Sequence, residues 1–175
     1  LRLGDSIGIK KIDFNSWFAS MRSKIIHPLF TKGGTHWSVY GSLLAEDSLI
    51  KYIEKAGGYR LPHMKINKIE YSNKPRSADN DIEQGLNLIY PISKERLSYP
   101  IFNFVSDSGT TKPKIIFIGD SFLWLFVYNG FMSNISSNWE FWYYFREAWN
   151  EKSINGQSQV YDMADYDWPK SLKSA

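Results

Sequence analysis

The chain has 175 residues, of which 43% are hydrophobic and 22% charged, a balance that is ordinary for a globular domain with a buried core. Its net charge of +3 comes from Lys and Arg scattered among Asp and Glu, without the basic stripe that a nucleic-acid-binding protein presents. The chain contains no Cys, which excludes thiolate metal sites, cysteine nucleophiles and disulfides, and no apolar run approaches the roughly 18 residues of a membrane span.

Neither an internal repeat nor a linker between domains is visible, so we expect a single domain over residues 1–175. The first residue is Leu1 rather than Met, and no signal peptide is visible in the sequence. The absence of Cys suits an exported protein. We therefore interpret the chain as a piece of a longer, exported protein.

A strand and a helix are predicted near the N-terminus. Residues 7–14, IGIKKIDF, predict a short strand that ends at Asp13, and residues 15–21 have apolar side chains at helical spacing. An acid at the C-terminal end of a parallel strand would face a site, whereas the alternative role of Asp13 is to cap the helix that follows. Ser6 lies in a Gly-Asp-Ser of its own, but the usual hydrolase order would need a His near the far C-terminus, and the last His is His63.

A glycine-rich loop at residues 32–37 precedes the longest predicted helix. Ser38 is a candidate N-cap, apolar residues recur at helical spacing from Val39 to Ile53, and Gly57-Gly58 ends the helix. His36 therefore lies just ahead of a helix N-terminus, where the partial positive charge disfavours an imidazolium. A neutral imidazole is the form that a general base needs, although a lone His beside a helix start is more often structural.

The middle of the chain is predicted to contain little regular structure. Residues 65–71 alternate between apolar and polar and predict a strand with one polar face, and an edge strand is expected at residues 99–105. Residues 81–88 predict a short helix that Gly85 weakens. His27 and His63 have no second His or carboxylate at ligand spacing, so we predict no metal site.

Residues 114–122, KIIFIGDSF, combine a continuous apolar run with a Gly-Asp-Ser turn. Such a run between Pro113 and Gly119 is typical of a parallel-sheet strand that is buried on both faces. A hydroxyl at the C-terminal end of that strand would lie where open α/β sheets bind ligands. A sharp turn would lift Ser121 Oγ out of the sheet, and a helix at residues 122–128 would direct N–H groups at a developing oxyanion. The alternative is a turn that only ends a core strand.

The C-terminal part is rich in aromatic residues. Residues 138–150, NWEFWYYFREAWN, have Trp142, Phe145 and Trp149 at i, i+3 and i+7, the spacing of a helical stripe that packs in a core. The alternative is a surface that stacks against sugar rings. A last strand is predicted at residues 159–163, and the acidic residues near it lack the spacing of a calcium loop.

Two of these features together resemble a known family. Gly119-Asp120-Ser121-Phe122 resembles the nucleophile block of SGNH/GDSL-type serine esterases. Thr35-His36-Trp37-Ser38, followed by Gly41 and an amphipathic helix, resembles the Asp-x-His-Trp block of the alginate O-acetyltransferase-like branch. That branch is circularly permuted, so its His block precedes its Ser block, as in this chain. Residues 81–88 are similar to its short acidic-then-leucine helix. The resemblance covers roughly residues 7–130, and the ordered pair of blocks, about 85 positions apart, is its most specific part.

The resemblance implies an α/β fold of the three-layer SGNH-hydrolase kind, with a mainly parallel central sheet and helices on both faces. It also implies an extracytoplasmic enzyme of the bacterial envelope, periplasmic or at the cell surface, that moves acetyl groups onto or off a polysaccharide. Its partners would be the polysaccharide and a membrane-bound protein that donates the acetyl group. No cofactor, metal or nucleic acid is implied.

The resemblance also assigns roles to individual residues. Ser121 would be the nucleophile that forms an acyl-enzyme, and His36 would take its proton. The Ser121 N–H would be one oxyanion donor, and Asn129 or Asn103 would supply a side-chain donor. Gly119 and Asp120 would line the site as part of the same block.

One position departs from the family pattern, because the family's Asp lies two residues before its His and that residue here is Gly34. Three explanations are open. Another carboxylate, with Asp13 as the first candidate, reaches His36; or a backbone carbonyl orients the ring in a slower Ser–His dyad; or the domain has lost catalysis and binds glycan. Either of the first two explanations leaves an enzyme, which would transfer acyl groups to a polysaccharide or hydrolyse carbohydrate esters, and the third leaves a glycan-binding or assembly domain without catalysis.

Overall fold

The computed structural model describes residues 6–90, 92 and 95–174. The helices in this part of the chain are α1 (Phe14–Met21), α2 (Val39–Gly57), α3 (Asp81–Leu86), α4 (Trp124–Tyr128), α5 (Phe131–Ile135), α6 (Glu151–Ile154) and α7 (Trp168–Lys173). The strands are β1 (His63–Ser72), β2 (Leu97–Val105), β3 (Lys114–Gly119), β4 (Asn138–Tyr143), β5 (Glu147–Asn150) and β6 (Tyr161–Asp162). Single turns of 3₁₀ helix at Ser77–Asn80 and Ser121–Leu123 lead into α3 and α4. The described part of the chain is therefore a mixed α/β structure with two sheets.

The larger sheet has the strand order β3-β4-β5-β6. β3 and β4 are parallel and in register from Lys114, opposite Asn138, to Gly119, opposite Tyr143, so their carboxyl ends meet at one edge. β4 pairs antiparallel with β5, and β5 pairs antiparallel with β6. The sequence predicts a mainly parallel sheet, but among the described residues the parallel part is the β3–β4 pair, because the short connection after β4 permits only an antiparallel return.

The smaller sheet is the antiparallel pair β1–β2, which packs against α2. The two strands contain the predicted strand at residues 65–71 and the predicted edge strand at residues 99–105. Their register shifts between Ile66 and Lys68, which is a bulge in the ladder. The predicted strand at residues 65–71 is therefore confirmed, but its side chains do not alternate between buried and exposed, and Ile66 is 44% exposed.

Two of the predicted elements have a different structure. The strand predicted at residues 7–14 is absent, because these residues pair with no strand in the described part of the chain and α1 begins at Phe14. The helical spacing of the C-terminal aromatics is coincidental: Trp142 lies on β4, Phe145 in the turn, and Trp149 on β5. Trp149 pairs with Phe141 rather than with Trp142, so the three rings do not form one stripe.

The main hydrophobic core lies on one face of the larger sheet, against α1, α2, α4 and α5. Phe117, Phe126, Phe131 and Phe141 form its centre, and each is at most 7% exposed. Burial of each ring stabilises the fold by roughly 1.5–3 kcal/mol. Trp142, Ala148 and Met163 form a smaller cluster.

None of the helices in the described ranges is both long enough and apolar enough to cross a membrane.

A polar contact inside this core joins α2 to the end of α4. Glu46 on α2 is fully buried, and its Oε1 accepts a hydrogen bond of 2.7 Å from the Asn129 side-chain amide. The same amide donates to Ser42 Oγ at 3.2 Å, one turn earlier on α2. Burial raises the pKa of Glu46 well above its usual value, against the smaller, opposite effect of the Asn129 hydrogen bond. The carboxyl is therefore much harder to ionise in the folded protein than in the unfolded chain.

Gly41 provides a test of how closely α2 approaches the chain that precedes His36. A Cβ at Gly41 would lie 2.4 Å from the Leu29 carbonyl oxygen, so Gly41→Ala requires the backbone to move. We expect this variant to lose roughly 2 kcal/mol of unfolding free energy, measured by urea unfolding.

Gly85→Ala in α3 is the matched control, since its Cβ would meet nothing within 4 Å. In that open position Ala is the better helix former by about 1 kcal/mol, so this variant gains stability. Equal effects of the two substitutions would contradict the close approach at Gly41.

Glu46→Gln tests the buried carboxyl through the pH dependence of stability. The folded-state pKa is raised, so the contribution of Glu46 to stability is fully present below its unfolded pKa of about 4.3 and is lost as pH rises through the folded pKa. Gln keeps an acceptor for Asn129 and cannot ionise. We therefore expect wild type to lose unfolding free energy relative to Glu46→Gln between pH 4 and pH 8.

Urea unfolding at the two pH values measures this difference, and Glu151→Gln, at an exposed position, controls for a surface substitution. A difference between wild type and Glu46→Gln that is the same at both pH values would show that Glu46 is ionised in the folded protein.

Candidate active site

Ser121 lies just beyond the C-terminal end of β3, in a tight turn. Asp120 is exposed and caps the 3₁₀ turn by accepting the Phe122 N–H at 3.0 Å. A Cβ at Gly119 would lie 2.6 Å from Leu123 Cδ1, so the glycine lets the turn fold back over the end of the strand. Ser121 is half-buried, and its N–H makes no hydrogen bond to the described residues. Gly119 and Asp120 therefore shape the turn that presents the hydroxyl.

His36 is positioned by the residues that follow it. The Trp37 ring is 8% exposed and stacks on Phe126 with 5.3 Å between ring centroids. Ser38 caps α2 by accepting the Gly41 N–H at 2.9 Å, and its own hydroxyl donates to the Pro28 carbonyl at 2.6 Å. Because the core and the helix cap fix these two residues, the His36 ring is held at the rim of the loop.

The structure brings Ser121 and His36 together across 85 positions of sequence, with 2.9 Å between Ser121 Oγ and His36 Nε2. The His36 side chain is 17% exposed, and the edge of its ring meets the Phe122 ring at 5.0 Å. The pair is thus partly shielded from water and still open to a substrate.

The carboxylate beside His36 belongs to Asp81, which the sequence analysis did not select. Its Oδ2 lies 2.9 Å from His36 Nδ1 and accepts the Thr35 hydroxyl at 2.6 Å. Thr35 Oγ1 is itself 3.0 Å from Nδ1. An ionised carboxylate only accepts hydrogen bonds, so this arrangement assigns the proton to Nδ1 and leaves Nε2 as the acceptor for the Ser121 hydroxyl.

The surroundings of Asp81 keep it ionised. Partial burial alone would raise its pKa, but hydrogen bonds from the Thr35 hydroxyl, the Thr35 N–H and the Ile82 N–H, together with nearby His36, outweigh that effect and lower the pKa. The two N–H groups donate to Oδ1 at 2.8 Å and 2.9 Å. Asp81 therefore carries a negative charge at neutral pH, on the side of the imidazole opposite Ser121.

Gly34 explains how the chain brings Asp81 to this place. A Cβ at Gly34 would lie 2.6 Å from Thr31 Oγ1, 2.8 Å from the Ala78 carbonyl oxygen and 3.1 Å from that of Asp79. The loop thus packs directly against the segment that leads into α3. The position where the resembled family carries its Asp has no room for a side chain, and the same close packing delivers Asp81 to His36.

Asp13, the first candidate for the acid, is the N-cap of α1. Its carboxylate accepts the Ser16 N–H at 3.0 Å and the Ser16 hydroxyl at 2.8 Å, and the bond from the N–H is the largest cause of its lowered pKa. The prediction of Asp13 at a strand end depended on the strand at residues 7–14, which the structure does not contain. The structure thus gives Asp13 the capping role that was its alternative.

No hydrogen bond in the described residues joins either candidate side-chain oxyanion donor to Ser121 or His36. The Asn129 amide donates into the core, to Glu46 and Ser42. Asn103, on β2, accepts a hydrogen bond of 2.8 Å from the Asn67 amide on β1. Of the predicted donors, the Ser121 N–H alone remains at the site.

A second His–Ser contact differs from this one in its access. His27 Nδ1 lies 2.8 Å from Ser98 Oγ, but Ser98 is 3% exposed and belongs to β2. In the described ranges, no group of three or more His, Asp or Glu side chains is placed to hold a metal ion. The chemistry that the residues offer is therefore concentrated at Ser121, His36 and Asp81.

No protein-family model matches the chain, and no curated protein matches its sequence. Among solved structures, the chain is similar to one described as "Structural and functional characterization of Pseudomonas aeruginosa AlgX", with a TM-score of 0.40 and 15% sequence identity. The match covers 65% of this chain and 29% of that one, so this chain spans less than a third of that protein's length.

Proposed function

We propose that the chain is a serine-dependent acyl-transfer enzyme whose catalytic triad is Ser121, His36 and Asp81. The observation that carries this proposal is the pair of contacts on the imidazole, 2.9 Å from Nε2 to Ser121 Oγ and 2.9 Å from Nδ1 to Asp81 Oδ2. A hydroxyl, an imidazole and a carboxylate in this order form the arrangement that activates a serine nucleophile.

In the proposed reaction, His36 Nε2 takes the Ser121 proton while Oγ attacks the carbonyl carbon of an ester. The new C–O bond turns the carbonyl oxygen into an oxyanion, and collapse of this intermediate expels the alcohol, which receives the proton from His36. The acetyl group stays on Ser121. An acceptor hydroxyl or water then gives its proton to His36 and attacks the acyl-enzyme. The bond to Ser121 Oγ breaks, and Oγ takes the proton back from His36.

Two further groups stabilise the charges that develop. The Asp81 carboxylate holds the His36 tautomer and stabilises the imidazolium, without itself taking the proton. The Ser121 N–H, which has no other partner in the described residues, donates to the oxyanion. Loss of an oxyanion donor typically costs about 10² to 10³ in rate. This chemistry needs neither a metal nor a cofactor.

The proposed substrate is an acetyl ester of a cell-surface or exported polysaccharide, with transfer to the polymer as the main reaction and hydrolysis as the side reaction. Support comes from the two resembling sequence blocks in their permuted order and from a nucleophile at the open edge of a sheet. The same resemblance favours an SGNH-hydrolase-like three-layer fold around β3 and β4, an extracytoplasmic location, and a membrane-bound acetyl donor. A simple carbohydrate esterase is the alternative, and it would use the same triad.

The hypothesis of a glycan-binding domain without catalysis depended on the missing acid at Gly34. Asp81 removes that reason, because it stands where the acid of a triad is needed. An intact nucleophile, base and acid favour the enzyme.

Ser121→Ala is the direct test of the nucleophile. We expect wild type to hydrolyse p-nitrophenyl acetate and to be labelled at Ser121 by a serine-directed phosphonate, and we expect the variant to lose both activities. Ser98→Ala, which removes the other His-bonded hydroxyl, is the matched control and keeps both. Labelling that persists in Ser121→Ala, or a folded wild type that neither turns over the ester nor reacts, would refute the proposal.

Asp81→Asn tests the acid. The amide no longer fixes the His36 tautomer, so we expect the rate of ester turnover to fall by up to about 10⁴ with the fold retained. Asp13→Asn is the control and keeps full activity, because Asn caps a helix as well as Asp does. Near-equal rates for Asp81→Asn and wild type would instead indicate a Ser–His dyad.

A further inference from the structure

The turn between β4 and β5 holds two aromatic residues in a conformation that bulky residues rarely adopt. Tyr144 and Phe145 have φ values of +50° and +52°, and the Arg146 N–H closes the turn on the Tyr143 carbonyl at 2.9 Å. Positive φ at both central residues is the pattern of a type I′ turn, which favours Asn-Gly. Each such residue costs on the order of 1–3 kcal/mol, and strain of this kind clusters at functional sites.

This aromatic turn, Tyr144 and Phe145, lies at the same sheet edge as the proposed nucleophile. The Tyr144 N–H donates to the Gly119 carbonyl at 2.8 Å, because parallel β3 and β4 end side by side. Gly119 precedes Ser121 by two residues. A polymer that crosses this edge to reach Ser121 would meet the aromatic turn next to it.

Both rings are exposed, and they rest on residues from opposite faces of β4, Tyr144 on the side of the main core and Phe145 on the side of the smaller cluster. Tyr144 is 60% exposed and Phe145 is 49% exposed. The Tyr144 ring rests against Tyr143, with 4.6 Å between centroids, and the Phe145 ring contacts Trp142 at 5.7 Å and Trp168 at 6.0 Å. Rings fixed in this way lose little conformational entropy when a ligand covers them.

We propose that the aromatic turn stacks against pyranose rings of the polysaccharide and holds the polymer while one of its hydroxyl groups reaches the acyl-enzyme at Ser121. The face of an aromatic ring is partly negative and attracts polarised C–H groups. Pyranoses in the β-gluco configuration present C–H groups on both faces, so β-1,4-linked polymers of glucose or N-acetylglucosamine fit best. The role of this binding in acyl transfer to the polymer at Ser121 rests on the proposed function. Binding of the polysaccharide to the aromatic turn does not itself require catalysis.

The double variant Tyr144→Asn, Phe145→Gly tests this proposal, because it gives the turn its preferred residues and removes both rings. We expect its urea unfolding midpoint to equal or exceed that of wild type. Cellohexaose and chitohexaose, titrated without any ester present, should change the tryptophan fluorescence of wild type saturably, since Phe145 contacts Trp142 and Trp168. The double variant should bind at least tenfold more weakly.

Tyr144→Asn alone removes one ring at a position where Asn tolerates a positive φ, and it serves as a second, milder variant. Tyr59→Ala is the control. It removes a ring that is 40% exposed and that follows the C-terminal end of α2, whereas His36 precedes the N-terminal end, so this variant should bind both hexasaccharides as wild type does. No saturable change with either hexasaccharide, or equal affinity of wild type and the double variant, would overturn the proposal. Turnover of p-nitrophenyl acetate and labelling at Ser121 test the enzymatic function independently of the hexasaccharide titrations.

Discussion

The close packing of the glycine-rich loop against the segment leading into α3 is the contact on which the whole site depends. Gly34 has no space for a Cβ, and the neighbouring Gly33 carbonyl accepts the first two N–H groups that follow Asp81, each at 3.1 Å. This contact places the Asp81 carboxylate against Thr35, whose N–H and hydroxyl hold it beside His36. A side chain at position 34 would separate the two segments. The missing acid at Gly34 and the acid at Asp81 are thus two consequences of a single packing arrangement.

The distance between Ser121 and His36 is set by the core rather than by the loops that carry them. Each residue stands just ahead of a helix, and α2 and α4 meet through the Trp37–Phe126 stack and the buried contact of Asn129 with Glu46. Ser121 and His36 are therefore attached to two elements that cannot move independently. A pair supported in this way keeps its geometry without help from a ligand.

Some features set by neighbouring residues were predictable from the sequence. The distant pair of Ser121 and His36 was expected only through the family resemblance, and Asp81 was not expected at all. The Ser38 cap of α2 and the left-handed Gly58 that ends it follow from local rules. Asp81 could not be predicted, because it reaches His36 through the contact between Gly34 and a segment some 45 positions away. No local sequence pattern indicates such a contact. The β4–β5 hairpin was missed for a different reason: its turn contains Tyr144 and Phe145 instead of Asn-Gly, so the strongest hairpin signal is absent.

The mixed sheet matters for the proposed function because its strand order places the aromatic turn beside the end of β3. A parallel pair aligns the ends of β3 and β4, which brings Tyr144 next to the strand end that precedes Ser121. A further parallel strand after β4 would have required a crossover of a dozen or more residues that carries the chain away from this edge. The antiparallel return to β5 keeps the connection at the edge, so one parallel pair and one hairpin are together enough to set Ser121 and the aromatic turn side by side.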